Sequence, residues 1–179
     1  PWSRAPDGGW HVPPDDAFLP AAVVRERIAA GRPPTLRLRM ADALGRIDGP
    51  LSFEERDAGP AGETGRVVAD PSGWGDVVIG RSDVPGSYHL SVVVDDAVQA
   101  ITHVIRGQDL FHATSIHRLL QTLLGLPVPV YRHHRLVLGT DGRKLSKSAG
   151  ATSLRDLRAE GLSPADVRRR IGLAATPAG

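Results

Sequence analysis

The chain contains no cysteine, which excludes disulfides and thiolate metal sites and leaves any zinc site to histidines and carboxylates alone. No apolar run approaches the roughly 18 residues that a membrane span needs. The first residues lack the charged-then-apolar order of a signal peptide. A cytoplasmic location without a membrane partner is the resulting expectation, and no internal repeat is present. Lysine is nearly missing too: twenty of the twenty-two basic residues are arginine. Both lysines fall in one pentapeptide, Lys144-Leu145-Ser146-Lys147-Ser148, shortly after an Asp141-Gly142 turn. A compact ammonium on a flexible stem differs from a rigid guanidinium fork, so this placement points to a loop that handles phosphate.

A length of 179 residues with 41% hydrophobic side chains allows one ordinary domain, or a large part of a bigger one, with a buried core. The net charge of +2 conceals an asymmetry. Residues 1–142 carry fourteen arginines against seventeen acids, whereas residues 143–179 carry eight basic side chains against three acidic ones. The basic end is either a solvated helical face or a surface for polyanions such as ATP phosphates or an RNA backbone.

The first seventy residues are rich in Pro, Gly, Asp and Ala. Within them Ala21 to Ala30 reads as a short helix stopped by Gly31 and Pro33, and Thr35 to Met40 as a half-buried strand. Gly59 to Gly65 reads as a loop. Asp76 to Arg81 and Tyr88 to Val94 are β-branched runs around Pro85-Gly86, which predicts two strands and a hairpin-like turn. Ile101 to Ile105 predicts a buried strand. Ile116, Leu119, Leu120, Leu123 and Leu124 form the apolar stripe of a helix ended by Gly125 and Pro127. Arg135 to Leu138 predicts a strand leading into the lysine loop. Ser153 and Ser163-Pro164 open two short helices closed by Gly161 and Gly172. Strand, helix, strand and phosphate loop make an α/β arrangement with ligands beyond the strand ends.

Seven histidines without cysteine raise the question of a metal site. His133 and His134 are adjacent and His112 and His117 lie five apart, which does not match the i, i+4 spacing of helical metal pairs. Asp95-Asp96, read on a strand, point to opposite faces and serve as caps, scaffold carboxylates or arginine partners.

The pentapeptide resembles the Lys-Met-Ser-Lys-Ser signature of class I aminoacyl-tRNA synthetases, with Leu145 in the methionine place. Tyr88-His89-Leu90, Val94-Asp95-Asp96, Val104-Ile105-Arg106-Gly107, the His117-bearing helix, Leu126-Pro127 and Tyr131 are similar in order and spacing to the glutamyl-tRNA synthetase family. Ser91-Val92-Val93 and Arg106-Gly107-Gln108-Asp109-Leu110 resemble the family's short paralogue, which transfers glutamate to the queuosine at the wobble position of tRNA(Asp). The resemblance implies an α/β fold comprising the second half of a Rossmann-like catalytic domain, with a connecting segment and short C-terminal helices. It divides the chain into an acceptor-binding-like connecting segment at 1–75, half of the catalytic domain at 76–150 and a helical tail at 151–179, without an anticodon-binding domain.

The implied activity is ligation: glutamate activated by ATP with Mg2+, then transferred to tRNA, most closely tRNA(Asp). Lys144, Ser146 and Lys147 are the implied ATP-binding residues, the two lysines catalytic. Tyr88 and Arg106 are the implied glutamate-binding pair. From residues alone, Tyr88 reads as a core aromatic with a satisfied hydroxyl, and Arg106 equally as a salt-bridge partner of Asp95, Asp96 or Asp109. The paralogue's zinc site uses cysteines that Pro1 to Leu19 lacks, so no structural zinc is expected. Residues 1–75 also show nothing like the family's first ATP motif, His-Ile-Gly-His. The expectation is a piece of a protein of roughly 300 residues, monomeric when complete, with half of its ATP site upstream, a decayed copy being the alternative. The alternatives are part of an ordinary glutamyl-tRNA synthetase and a noncatalytic RNA-binding module derived from the fold.

Overall fold

The computed structural model of the protein describes residues 4–9, 19–31, 33–139, 142–145 and 152–173. They fall into two compact units, Pro1–His134 and Arg135–Gly179.

In the first unit, helix α1 (Ala21–Ala29) buries no residue. Strands β1 (Leu36–Leu38) and β4 (Val77–Gly80) pair antiparallel, Leu38 opposite Val77. The strand expected over Thr35 to Met40 stops early because Met40 opens helix α2 (Met40–Leu44). The cause is a remote cap: the Asp76 carboxylate accepts from the Met40 backbone N–H at 2.8 Å, satisfying an end donor that Arg39 cannot.

The main sheet has four strands in the order β3 (Gly65–Ala69), β2 (Leu51–Glu55), β6 (Val130–His134), β5 (His103–Gly107). The β2–β3 pair is an antiparallel hairpin across the expected 59–65 loop. Strands β2, β6 and β5 run parallel, Glu55 beside Tyr131 and Arg106 beside His133. Helix α4 (Thr114–Leu124) connects β5 to β6 and turns Ile116, Leu119 and Leu120 into the core, as its apolar stripe predicts. Phe53 sits edge-on to both Phe111 and Tyr131, with ring centroids 5.7 and 5.5 Å away, and this aromatic group joins the sheet to the turn that leads into α4. Gly125 ends α4 at φ 64°, ψ 31°. A Cβ there would meet no atom within 4 Å, so only the left-handed backbone resists substitution. Gly125→Ala is therefore expected to cost about 1 kcal/mol, readable by urea denaturation.

Three further strand expectations change. Tyr88 to Val94 is not a strand but the start of helix α3 (Tyr88–Val98). Ser87 caps it, its Oγ accepting from the Leu90 N–H at 3.3 Å, and Val93 enters the core. Capping and packing override the weak strand preference of the valines. Asp95 and Asp96 thus lie on a helix; Asp96 is half-buried, and that burial raises its pKa. The strand expected at Ile101 to Ile105 begins at His103 and is not buried, Ile105 being 67% exposed. The strand expected at Arg135 to Leu138 lies earlier, at Val130–His134, while Leu138 makes only an isolated bridge to Lys144.

In the second unit, Gly139 donates to the Arg143 carbonyl at 2.8 Å and Leu145 to the Val137 carbonyl at 3.0 Å, forming a tight turn with Gly142 at φ 73°. Helices α5 (Leu154–Ala159) and α6 (Pro164–Arg170) begin with the expected serines. Each serine forms a reciprocal capping box, Ser153 with Asp156 and Ser163 with Asp166. Among the described residues no helix is long and apolar enough to cross a membrane.

Candidate functional site

Parallel strands end together, and their C-terminal ends are where α/β sheets place ligands. Here those ends carry Glu55 from β2, Arg106 from β5 and His133 from β6. On β6 the inward positions are Tyr131 and His133, alternating with exposed Arg132 and His134. The Glu55 and His133 side chains are fully buried.

Arg106 is the hub. Its Nε donates to His133 Nε2 at 3.0 Å and its Nη1 to His117 Nδ1 at 3.1 Å. Its Nη2 donates to Thr114 Oγ1 at 2.7 Å and to the Leu110 carbonyl at 3.2 Å. Among the described residues these bonds occupy four of the five guanidinium N–H groups and leave one on Nη1. The Tyr131 ring centroid lies 5.2 Å from the guanidinium carbon, adding a cation–π contact.

Two chains of contacts leave this hub. On one side His133 Nδ1 lies 2.5 Å from Glu55 Oε2, while Glu55 Oε1 accepts from the backbone N–H groups of His133 (2.9 Å) and Asp57 (3.0 Å). On the other, His117 Nε2 lies 3.2 Å from His89 Nδ1. Burial, reinforced by the Arg106 charge and the neighbouring His89 and His133, drives the His117 pKa down to about 2. Burial likewise lowers the pKa of His89, and that of His133 against the upward pull of Glu55. All three rings are neutral at pH 7.

A cavity of about 540 Å³ opens beside this network, lined among others by Arg37, Trp74, Asp76, Arg81, Tyr88 and His89. The Trp74 indole N–H is buried without a hydrogen-bond partner among the described residues. Tyr88, in the first turn of α3, is 50% exposed and packs edge-on against His117, with ring centroids 5.8 Å apart. It is not a core aromatic. Arg106 is absent from the cavity lining and is linked to it through His117 and His89. Asp96 feels the Arg106 charge, yet the hydrogen bonds of the guanidinium run to neutral partners, so Arg106 is held as a donor platform instead of by the aspartate pairing that the sequence allows.

Lys144 is exposed and lies in the second unit, bridged to Leu138. Ser146 and Lys147 fall outside the described residues. Glu55, His89, His117 and His133 escaped sequence reasoning because histidines weighed by spacing as metal ligands show nothing of contacts made across the fold. Among the described residues no group of three or more His, Cys, Asp or Glu is arranged to hold a metal ion. The one signal available was the inward period of β6, where Tyr131 and His133 alternate with Arg132 and His134.

Residues 24–177 match the family described as tRNA synthetases class I (E and Q), catalytic domain. The chain is 47% identical over 178 residues to the "Glutamyl-Q tRNA(Asp) synthetase" of Rhodobacter capsulatus, covering 96% of this chain and 62% of that protein. It is 43% identical over 153 residues to the "Glutamate--tRNA ligase 2" of Acidithiobacillus ferrooxidans, covering 86% of this chain and 30% of that protein. The crystal structure of the glutamate-tRNA synthetase of Elizabethkingia anophelis superimposes with a TM-score of 0.53 at 26% identity, over 82% of this chain and 26% of that one. The chain thus spans less than two thirds of the length of these relatives.

Proposed function

The chain belongs to the class I tRNA synthetases for glutamate and glutamine, and from that membership we propose that it is part of a ligase that activates glutamate with ATP and transfers it to tRNA. The observation that carries this reading is Arg106, a cation fixed at the strand ends with one N–H uncommitted among the described residues. A carboxylate is the ligand that such a charge-assisted donor selects. Tyr88 stands across His117 from it, exposed to the cavity, and is assigned to the same amino-acid pocket.

Activation is an in-line attack of the glutamate α-carboxylate on the α-phosphorus of ATP, which releases pyrophosphate and leaves glutamyl-adenylate. Negative charge gathers on the phosphate oxygens, so the catalyst's work is positioning and electrostatic stabilisation. Lys144 and Lys147 are assigned to that charge and Ser146 to a phosphate hydrogen bond. Magnesium enters with the triphosphate, held through its oxygens in the manner usual for this ion. The division into a connecting segment (1–75), half of a catalytic domain (76–150) and a tail (151–179) belongs to the same proposal, as does a cytoplasmic location beside the tRNA pool.

For the acceptor we infer the queuosine of tRNA(Asp), supported by the 47% identity to a protein of that name. An ordinary glutamate–tRNA ligase is the second reading, favoured by the 43% identity to one. Glutamate-dependent ATP–pyrophosphate exchange on the full-length gene product tests the activation step. Exchange without tRNA, followed by glutamate transfer to queuosine-containing tRNA(Asp) and not to tRNA(Glu), is the expected result. Transfer to tRNA(Glu) alone selects the second reading, and RNA binding without exchange sinks both. In the same assay Lys147→Ala is expected to slow adenylate formation roughly 10- to 100-fold at an unchanged melting temperature; an unchanged rate removes the role given to Lys147.

A further inference from the structure

We propose that Glu55 sets the tautomer of His133 and through it the orientation of Arg106, so that a carboxylate remote from substrate is the positioning residue for the arginine. The inference rests on the reading of Arg106 as the partner of the substrate carboxylate. Its evidence is a chain of hydrogen bonds in which each member has only one compatible protonation.

Glu55 Oε2, 2.5 Å from His133 Nδ1, can only accept, so Nδ1 carries the hydrogen. Arg106 Nε, 3.0 Å from His133 Nε2, can only donate, so Nε2 is bare. Those two demands select the neutral Nδ1–H form of His133. The Nε2–H form and the doubly protonated ring would each set N–H against N–H. The far side obeys the same rule: Arg106 Nη1 donates to His117 Nδ1, which places the His117 hydrogen on Nε2, facing His89 Nδ1 at 3.2 Å. With Nη2 bound to Thr114 and the Leu110 carbonyl, the fork has one orientation and one remaining donor.

Glu55 is required as a carboxylate because both of its oxygens accept. Oε1 takes the His133 and Asp57 backbone N–H groups while Oε2 takes the ring. A glutamine in its place has one acceptor end. Turning that end to the ring leaves two buried backbone N–H groups facing an amide NH2, whereas turning it to the backbone presents NH2 to Nδ1. The second arrangement loses fewer bonds, and it forces His133 into the Nε2–H form against the Arg106 Nε–H. The fork then rotates away, although its charge is intact.

The test is histidine 15N spectroscopy of the full-length protein at neutral pH, combined with exchange kinetics. In the unsubstituted protein His133 is expected to show a protonated Nδ1 and a bare Nε2; a protonated Nε2 overturns the proposal without recourse to any variant. Glu55→Gln is expected to move the proton to Nε2 and to raise the glutamate KM about tenfold, with kcat and the ATP KM within about twofold. An unchanged tautomer, or a shifted one with an unchanged glutamate KM, overturns it. Arg106→Lys separates the two layers: if that variant keeps its glutamate KM, the reading of Arg106 as the substrate's partner falls and the substrate half of this inference falls with it, whereas the spectrum still decides whether Glu55 governs His133.

Discussion

Replacing Arg106 by lysine in the full-length protein is expected to lower kcat/KM for glutamate by about 100- to 1,000-fold, with the ATP KM little changed. Lysine keeps the charge but concentrates its three donors at one point. The planar fork reaches His133, His117, Thr114 and the Leu110 carbonyl from three nitrogens and keeps a further N–H. With three donors for those four acceptors an ammonium has none to spare for a substrate carboxylate, and one aimed at the substrate leaves buried acceptors unpaired at roughly 1–3 kcal/mol each. Glutamate titrations in the pyrophosphate-exchange assay read the effect. A loss of less than tenfold would mean that charge alone suffices and that the fork is structural.

Acid is expected to destabilise the protein well before its carboxylates titrate. His117 has a pKa of about 2 in the fold and about 6.5 when unfolded, so below pH 6.5 the unfolded chain binds a proton that the folded chain refuses. Stability from this residue is fully present above pH 6.5 and is lost progressively as the pH falls toward 2. Between pH 6.5 and 4.5 the loss is about 2 kcal/mol. His89 and His133, also lowered by burial, act in the same direction. Asp70, Asp83 and Asp166 have lowered values, so their contributions fade only below about pH 4. Urea unfolding at half-unit intervals gives the curve. A flat free energy from pH 6.5 to 4.5 would show that His117 is protonated in the fold, and with it that Arg106 Nη1 lacks an acceptor there.

How far the sequence could be read depended on which force shaped each element. Helix α4 and the two tail helices were readable because a 3.6-residue apolar stripe, serine caps and glycine stops are local signals. Helix α3 was misread as a strand because Tyr88 to Val94 is dense in β-branched residues, and the deciding features, the Ser87 cap and the burial of Val93, are one local and one distant. Strand β6 lies four to five residues before the expected one because its inward face carries Tyr131 and His133, which an apolar count passes over. Strands β2 and β3 are short and bracketed by glycine and proline. At the site, Tyr88 and Arg106 stood out through a resemblance, whereas Glu55 and His133 lie 78 residues apart and meet only when parallel strands pair.

The bonds around Arg106 share a polarity. Every hydrogen in the series is given away from the guanidinium, toward His133 and Glu55 on one side and toward His117 and His89 on the other. Each ring that accepts is polarised into a stronger donor at its far nitrogen. At one end this pull is quenched by the Glu55 carboxylate. At the other it emerges on His89, an uncharged ring in the cavity wall. An anion entering the cavity would therefore meet a share of a buried cation's field through two neutral imidazoles, and losing either ring would dim that field without removing any charge from the protein.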